Sequence, residues 1–165
     1  FMNLDFDESG HLAFKGTPNK QIIEDFLNDE FFKKLFPKSL DKNDFNSFYN
    51  QILKYKLNNN DTIATISSLT VSSIKASLKL LPIQPESIIV SGGGEKNLFI
   101  LEGLRKELNC KVKTSQELKL PGDMIEAELM AFIAVRRLYN LPITFPSTTG
   151  TTKNTVGGVI NFFSK

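Results

Sequence analysis

The run Glu86-Ser-Ile-Ile-Val-Ser-Gly92-Gly93-Gly94-Glu95-Lys96-Asn97-Leu98-Phe-Ile-Leu-Glu-Gly-Leu104 leaves the middle of this chain few ways to fold. Ser87 to Val90 is a short apolar, β-branched stretch of the kind that a strand buried on both faces requires. Leu98, Leu101, Leu104 and Leu108 then recur at helical spacing. The three glycines between them carry no Cβ, so the turn can take positive φ. A ligand could then approach the backbone closely at the helix N-terminus, where free N–H groups point outward. Two readings stay open on these residues alone: a phosphate- or nucleotide-binding turn, and a tight strand-to-helix connection with no ligand.

The rest of the chain narrows the function classes. With 165 residues, 41% of them hydrophobic and 23% charged, it is long enough to bury a core as one domain. A net charge of +2 is too weak to argue for nucleic acid, and basic runs such as Lys54-Tyr-Lys56 read as solvated surface. Cys110 is the only cysteine, so no internal disulfide is possible and a reduced, cytoplasmic setting is favoured; beside an expected strand it reads as core rather than nucleophile. His11 is the only histidine, which speaks against a His-rich zinc site and a Ser-His-Asp arrangement. Catalysis would have to rest on carboxylates, backbone dipoles or a metal carried in by a ligand. No apolar run approaches the ~20 residues of a membrane span, and the N-terminus lacks the charged and apolar regions of a signal peptide.

Local signals predict a helix-heavy α/β chain with no obvious domain boundary. Phe1 through Gly16 reads as a loop, with turn residues at its middle and end. Thr17-Pro18 offers an N-cap followed by proline at the first helical position, ahead of a stripe of Ile22, Ile23, Phe26 and Leu27. A further turn near Phe31 to Leu35 stops at Phe36-Pro37, and Asp41 or Asn43 can cap a helix bearing Phe45, Phe48, Ile52 and Leu53. These phenylalanines are assigned to packing. After Asn58-Asn-Asn60-Asp61, a long helix should place Ile63, Ile66, Ile74, Leu78 and Leu81 on one side. Lys111 to Ser115 alternates as a second strand, which completes a parallel βαβ unit with the glycine turn inside it. Pro121-Gly122-Asp123 introduces a last helix with Ile125, Leu129, Phe132 and Ile133, ended by Asn140-Leu-Pro142, and Val156 to Ile160 reads as a final short strand.

Known glycine motifs fit the turn poorly. A Walker A loop needs Gly-Lys-Ser/Thr after its last glycine, and Gly94-Glu95-Lys96-Asn97 does not supply it. A Rossmann-type dinucleotide fingerprint needs a third glycine where Asn97 stands, and Glu117 as its ribose-binding acid comes late.

Several blocks fall into an order that resembles one family. They are Asp7-Glu-Ser-Gly10-His-Leu-Ala13-Phe-Lys-Gly16, Phe36-Pro37-Lys38-Ser39-Leu-Asp-Lys-Asn-Asp44-Phe45, Asp61-Thr-Ile-Ala64-Thr65 and Ser91-Gly92-Gly93-Gly94-Glu-Lys-Asn97. Pro121-Gly-Asp123-Met-Ile-Glu126-Ala127, Leu141-Pro142 with Phe145-Pro146-Ser147-Thr-Thr149-Gly150, and Gly158-Val-Ile160 follow. Together, from Asp7 to Ile160, they resemble anhydro-N-acetylmuramic acid kinase. Ser9 stands where the first block usually has a second Asp, and Leu40 and Lys42 interrupt the Ser-Thr-Gly-Arg-like run.

The resemblance implies the C-terminal lobe of an actin-like (RNase H-like) sugar-kinase fold, helix-rich with a small mixed sheet, over residues 1–165 as a single lobe. It implies ATP, with Mg2+ carried by the nucleotide, and an amino-sugar substrate: the 6-oxygen of 1,6-anhydro-N-acetylmuramic acid is phosphorylated while water opens the anhydro ring. Gly92, Gly93, Gly94 and Asn97 become nucleotide-binding candidates, with the contact moved from phosphate to adenosine. Glu126 is a candidate for the substrate or the cleft; a carboxylate favoured by the dipole of its own helix is the alternative.

The family's Gly-Thr-Ser-x-Asp-Gly phosphate loop, its water-activating aspartate and its Gly-Pro-Gly-Asn segment have no counterpart string here, so no catalytic residue is assigned, and Asp5 and Asp7 are read as solvated loop. Phe1 ahead of Met2 suggests that this is not a natural start. The expectation is therefore a kinase half, inactive alone, that needs a separate N-terminal lobe. The family's frequent dimers make self-association a further expectation. The other readings are a non-catalytic nucleotide-binding remnant or interaction module and, more remotely, a Rossmann-type domain.

Overall fold

A tight turn and a short helix that the sequence does not announce stand near the start of the described part of the chain, which in this computed structural model covers residues 5–162. The expected opening loop lies partly outside the described residues, at 1–4. From Glu8 the chain is locally ordered instead: a tight turn, Glu8–Gly10, in which Ser9 (φ 54°) and Gly10 (φ 76°) are left-handed, leads into α1, His11–Lys15. The reason is Asp7. Its carboxylate accepts from the amides of Leu12 (2.8 Å) and Ala13 (3.1 Å), satisfying donors that so short a helix leaves free. Asp7 is thus a structural cap rather than a solvated residue, and Ala13 behind it is fully buried.

The chain divides into two compact units, residues 5–36 with 40–122, and residues 37–39 with 123–162. In the first, α2 spans Lys20–Leu27 and is capped by Asn19, whose side chain accepts from the Ile22 amide, not by Thr17. Tertiary bonds shift the start. The Thr17 amide donates to Asp61 (2.7 Å) and the Asn19 amide to the Thr65 hydroxyl (2.9 Å), which holds residues 17–19 extended. A 3₁₀ turn at Glu30–Lys33 follows, then a second at Lys42–Phe45 under an Asp41–Asp44 capping box, which feeds α3, Asn46–Lys54.

The long helix α4, Asn59–Leu78, begins at the expected cap, Asn58. Its burial differs from the expected stripe. Ile66 is 39% exposed, whereas Thr62, Ala64, Thr65, Ser67, Leu69 and Val71 are buried. Small side chains let α1 and α2 pack close to α4, and a buried threonine satisfies itself locally, as the Thr65 hydroxyl does by donating to the Asp61 carbonyl at 2.6 Å. Leu69 joins one apolar cluster with Ile22, Phe48 and Ile52; Val71 joins the other with Leu101, Leu104 and Val112.

That second cluster carries the βαβ unit. β1, Ser87–Val90, pairs in parallel with β2, Lys111–Thr114, with Ser87 opposite Lys111 and Val90 opposite Thr114. Between them lie the one-turn helix α5, Gly93–Lys96, and the crossover helix α6, Leu98–Glu107. Val71 fills the space beside Gly103, where an added Cβ would come within 2.9 Å of it, so Gly103 lets α6 lie close on α4. β1 is not buried on both faces: Ile88 and Val90 pack against α6 and its neighbours, while Ile89 is 52% exposed. Among the described residues the sheet is a two-stranded parallel pair rather than a mixed one.

The second unit contains α7, Ile125–Leu138, and α8, Pro146–Thr149. Val156 to Ile160 does not form the expected strand; one antiparallel bridge, Thr144 with Thr155, stands in its place. Gly158 has φ +85°, and its carbonyl accepts from the Arg137 guanidinium at 2.9 Å instead of from a neighbouring strand.

Candidate functional site

The glycine turn sits where β1 ends and α5 begins. Gly92 has φ 66° and ψ −150°, a region that only glycine occupies readily. Gly93 and Gly94 form the first turn of α5, where amides have no partner within the helix. Beyond its chain neighbours and the backbone of its own helix, a Cβ added at Gly92 or Gly93 would meet no described protein atom within 4 Å, and one at Gly94 only Val90 Cγ1 at 3.7 Å. Packing therefore does not demand glycine at Gly93. The space that a side chain there would occupy is open, and the backbone is accessible from it.

Behind the turn, the protein is tightly tied. The Ser115 hydroxyl, in a fully buried residue, donates across both oxygens of Glu95 at 2.8 and 2.7 Å, and the Gln116 amide donates to the same carboxylate at 3.2 Å. Ser115 is in turn held by its own amide, which donates to the Val90 carbonyl at 2.9 Å. A Cβ at Gly122 would strike both Ser115 and Glu95, so the Pro121-Gly122 segment packs directly on this clasp. One carboxylate thus fixes α5 to the end of β2, directly after the strand whose partner leads into the glycines.

Asn97 closes the turn on the other side. Its side-chain oxygen accepts from the Ile100 amide at 3.1 Å and caps α6. A Cβ at Gly10 would lie 2.7 Å from that oxygen and 2.7 Å from Phe99 Cβ, so the buried Gly10 brings the first sequence block against Asn97. The structure gathers Gly92, Gly93, Gly94 and Asn97, and adds Gly10, Glu95, Ser115 and Gly122, which sequence reasoning did not select. Only the glycines carried a signal that could have been read; nothing in a local window links Glu95 to a serine twenty residues on.

Glu126 lies exposed in the first turn of α7, followed two residues later by Glu128, and belongs to the second unit. The acidic first turn fits the favourable position of negative charge at a helix N-terminus. Glu117 ties β2 to α6: one oxygen accepts from Arg105 (2.8 Å) and the other from the Thr114 amide (2.8 Å). His11 donates from Nδ1 to the Glu8 carbonyl (3.0 Å), and Cys110 is half-buried at the edge of β2. Among the described residues, no group of three or more His, Cys, Asp or Glu side chains is placed to hold a metal ion, and no helix is long and apolar enough to cross a membrane.

Comparison with known proteins gives one answer. The family model described as anhydro-N-acetylmuramic acid kinase matches residues 1–163. A protein of that name from Zymomonas mobilis is 38% identical over 159 residues, covering 96% of this chain and 42% of the relative. Its namesake in Roseobacter denitrificans is 34% identical over 161 residues (98% and 42%), and that in Hydrogenovibrio crunogenus 35% over 163 residues (97% and 44%). The chain therefore spans a little over two-fifths of the length of these curated relatives.

Proposed function

This chain belongs to the anhydro-N-acetylmuramic acid kinase family, and from that premise we propose that it is the C-terminal, adenosine-side lobe of an ATP-dependent sugar kinase with an actin-like fold. The observation that carries the reading is the open face of Gly93, where a side chain is absent although the protein leaves room for one. In the proposed assembly, Gly92, Gly93 and Gly94 let the adenosine part of ATP pack against bare backbone. Glu95, Ser115 and Asn97 hold that backbone in place, so the turn needs no rearrangement when the nucleotide arrives.

The reaction is transfer of the γ-phosphoryl group to the 6-oxygen of 1,6-anhydro-N-acetylmuramic acid. Water opens the anhydro ring, giving N-acetylmuramic acid 6-phosphate and ADP in the recycling of cell-wall sugar in the cytoplasm. Mg2+ enters with the nucleotide, and Glu126 faces the sugar side of the cleft. Stabilisation of the transferring phosphoryl group and activation of water come from the part of the family's length not matched here, because this sequence carries no counterpart of the family's Gly-Thr-Ser-x-Asp-Gly phosphate loop.

The 165-residue chain alone should show negligible turnover. Mixing it with the unmatched N-terminal part of the Zymomonas mobilis relative should restore ATP-dependent formation of the 6-phosphate. No product at high concentrations of both parts would sink the kinase reading. A second reading is a nucleotide-binding module without chemistry, resting on the open backbone of the glycine turn alone. Calorimetry with ATP, ADP and adenosine separates the two, since adenosine-dependent binding without turnover in the mixture supports the module.

A further inference from the structure

Helix α7 has the composition of an interior helix and the exposure of a surface one. Leu129-Met130-Ala131-Phe132-Ile133-Ala134-Val135 is seven consecutive apolar residues, about two full turns, so apolar side chains point in every direction around the axis. None of its residues is buried: Leu129 is 48% exposed, Met130 60%, Phe132 58% and Val135 50%. The charges are confined to the ends. Glu126 and Glu128 lie in the first turn, while Arg136 and Arg137 in the last turn donate to the carbonyls of Pro142 (2.6 Å) and Gly158 (2.9 Å). An exposed apolar stretch of this extent marks a surface meant to be covered.

We propose that α7 is an interior helix of the complete kinase, and that the part of the family's chain lying outside the matched region packs around its apolar middle. Two observations choose this occupant over a second copy of the chain. The relatives align with nearly all of this chain, α7 included, yet more than half of each relative's length lies outside the match, on whichever polypeptide it is carried here. A two-fold pairing of α7 with itself, moreover, covers one stripe of the helix, because an isologous contact uses the same patch on both copies, and it leaves the opposite apolar side wet. The inference shares with the proposed function only the premise that the rest of the family's chain joins this one.

The test uses amide hydrogen exchange on the chain alone and mixed with the unmatched part of the Zymomonas mobilis relative. A single-chain form in which this chain replaces the matched region of that relative is measured beside them. We expect exchange across 129–135 to slow at least tenfold in the mixture or the single chain. Met130→Glu and Phe132→Glu, both at exposed positions, should weaken association at least tenfold. Ile83→Glu, the same chemical change at a loop residue that is 83% exposed, should not. Exchange in the single-chain form as fast as in the isolated chain overturns the proposal. So does a self-associated form that is abolished by the α7 substitutions and persists when the relative's part is added. An inactive complex in which α7 is protected would refute the kinase reading and leave this one standing.

Discussion

Replacing Gly93 with alanine separates a glycine kept for a ligand from one kept for the fold. The new methyl group would enter space with no described protein atom within 4 Å beyond its chain neighbours and the backbone of its own helix, at a residue in the first turn of α5. Lowering the entropy of the unfolded chain should then leave the variant as stable as the parent, or more stable by about 0.4–1 kcal/mol. Gly92→Ala is the contrast. At φ 66° and ψ −150° an alanine is strained, and a loss of order 1–3 kcal/mol is expected wherever the turn is retained. For binding, a methyl placed between bare backbone and a closely packed adenosine acts as overpacking, worth about 1–3 kcal/mol, or roughly 5- to 150-fold in Kd. Urea denaturation reads the first quantity. Calorimetric titration with ATP, ADP and adenosine, on the chain alone and mixed with the relative's unmatched part, reads the second. The reasoning fails if Gly93→Ala costs more than about 1 kcal/mol in stability, since the methyl would then be striking protein. It fails equally if nucleotide affinity is unchanged, or if the parent binds no nucleotide in either form.

Two further outcomes probe the surroundings of the turn and the scaffold. Ser115→Ala removes the hydroxyl that spans both Glu95 oxygens and should cost about 1–3 kcal/mol, with Glu95→Gln losing less because the amide keeps one acceptor; equal, negligible losses in urea denaturation would show that the clasp does not hold α5. Lys75 donates to Glu107 at 2.6 Å and, with its positive charge, holds that carboxyl below its ordinary value of 4.5. Its folded pKa being depressed, this contribution is present above the unfolded pKa near 4.5 and is lost as pH falls through the lower folded value. Both side chains are about two-fifths exposed, so the pair is worth under about 1 kcal/mol, and Glu107→Gln should narrow the stability gap between pH 7 and pH 3 by no more than that. A gap left unchanged would show that the pair contributes nothing.

What the sequence alone determined is local. Asn58 and Asp41 announce helix starts because a cap acts within three residues of itself, and the alternation of Lys111 to Thr114 announces a strand with one buried face. The glycine triplet between an apolar run and a leucine periodicity requires a strand, a turn and a helix, and the ordered blocks identify the family. Tertiary structure decided whatever depends on partners far along the chain. Thr17 and Asn19 give their amides to residues 44 and 46 positions on, which moves the start of α2; Ser115 reaches back twenty positions to Glu95, which makes an unremarked glutamate the anchor of the turn. The face of α4 that is buried follows from close packing by α1, α2 and α6, and so selects alanine, threonine and serine over the isoleucine stripe. Periodicity says that a side is apolar; only the neighbours determine which side is covered. The openness of Gly93 is likewise invisible in the letters Gly-Gly-Gly, because it is a property of the space in front of the residue.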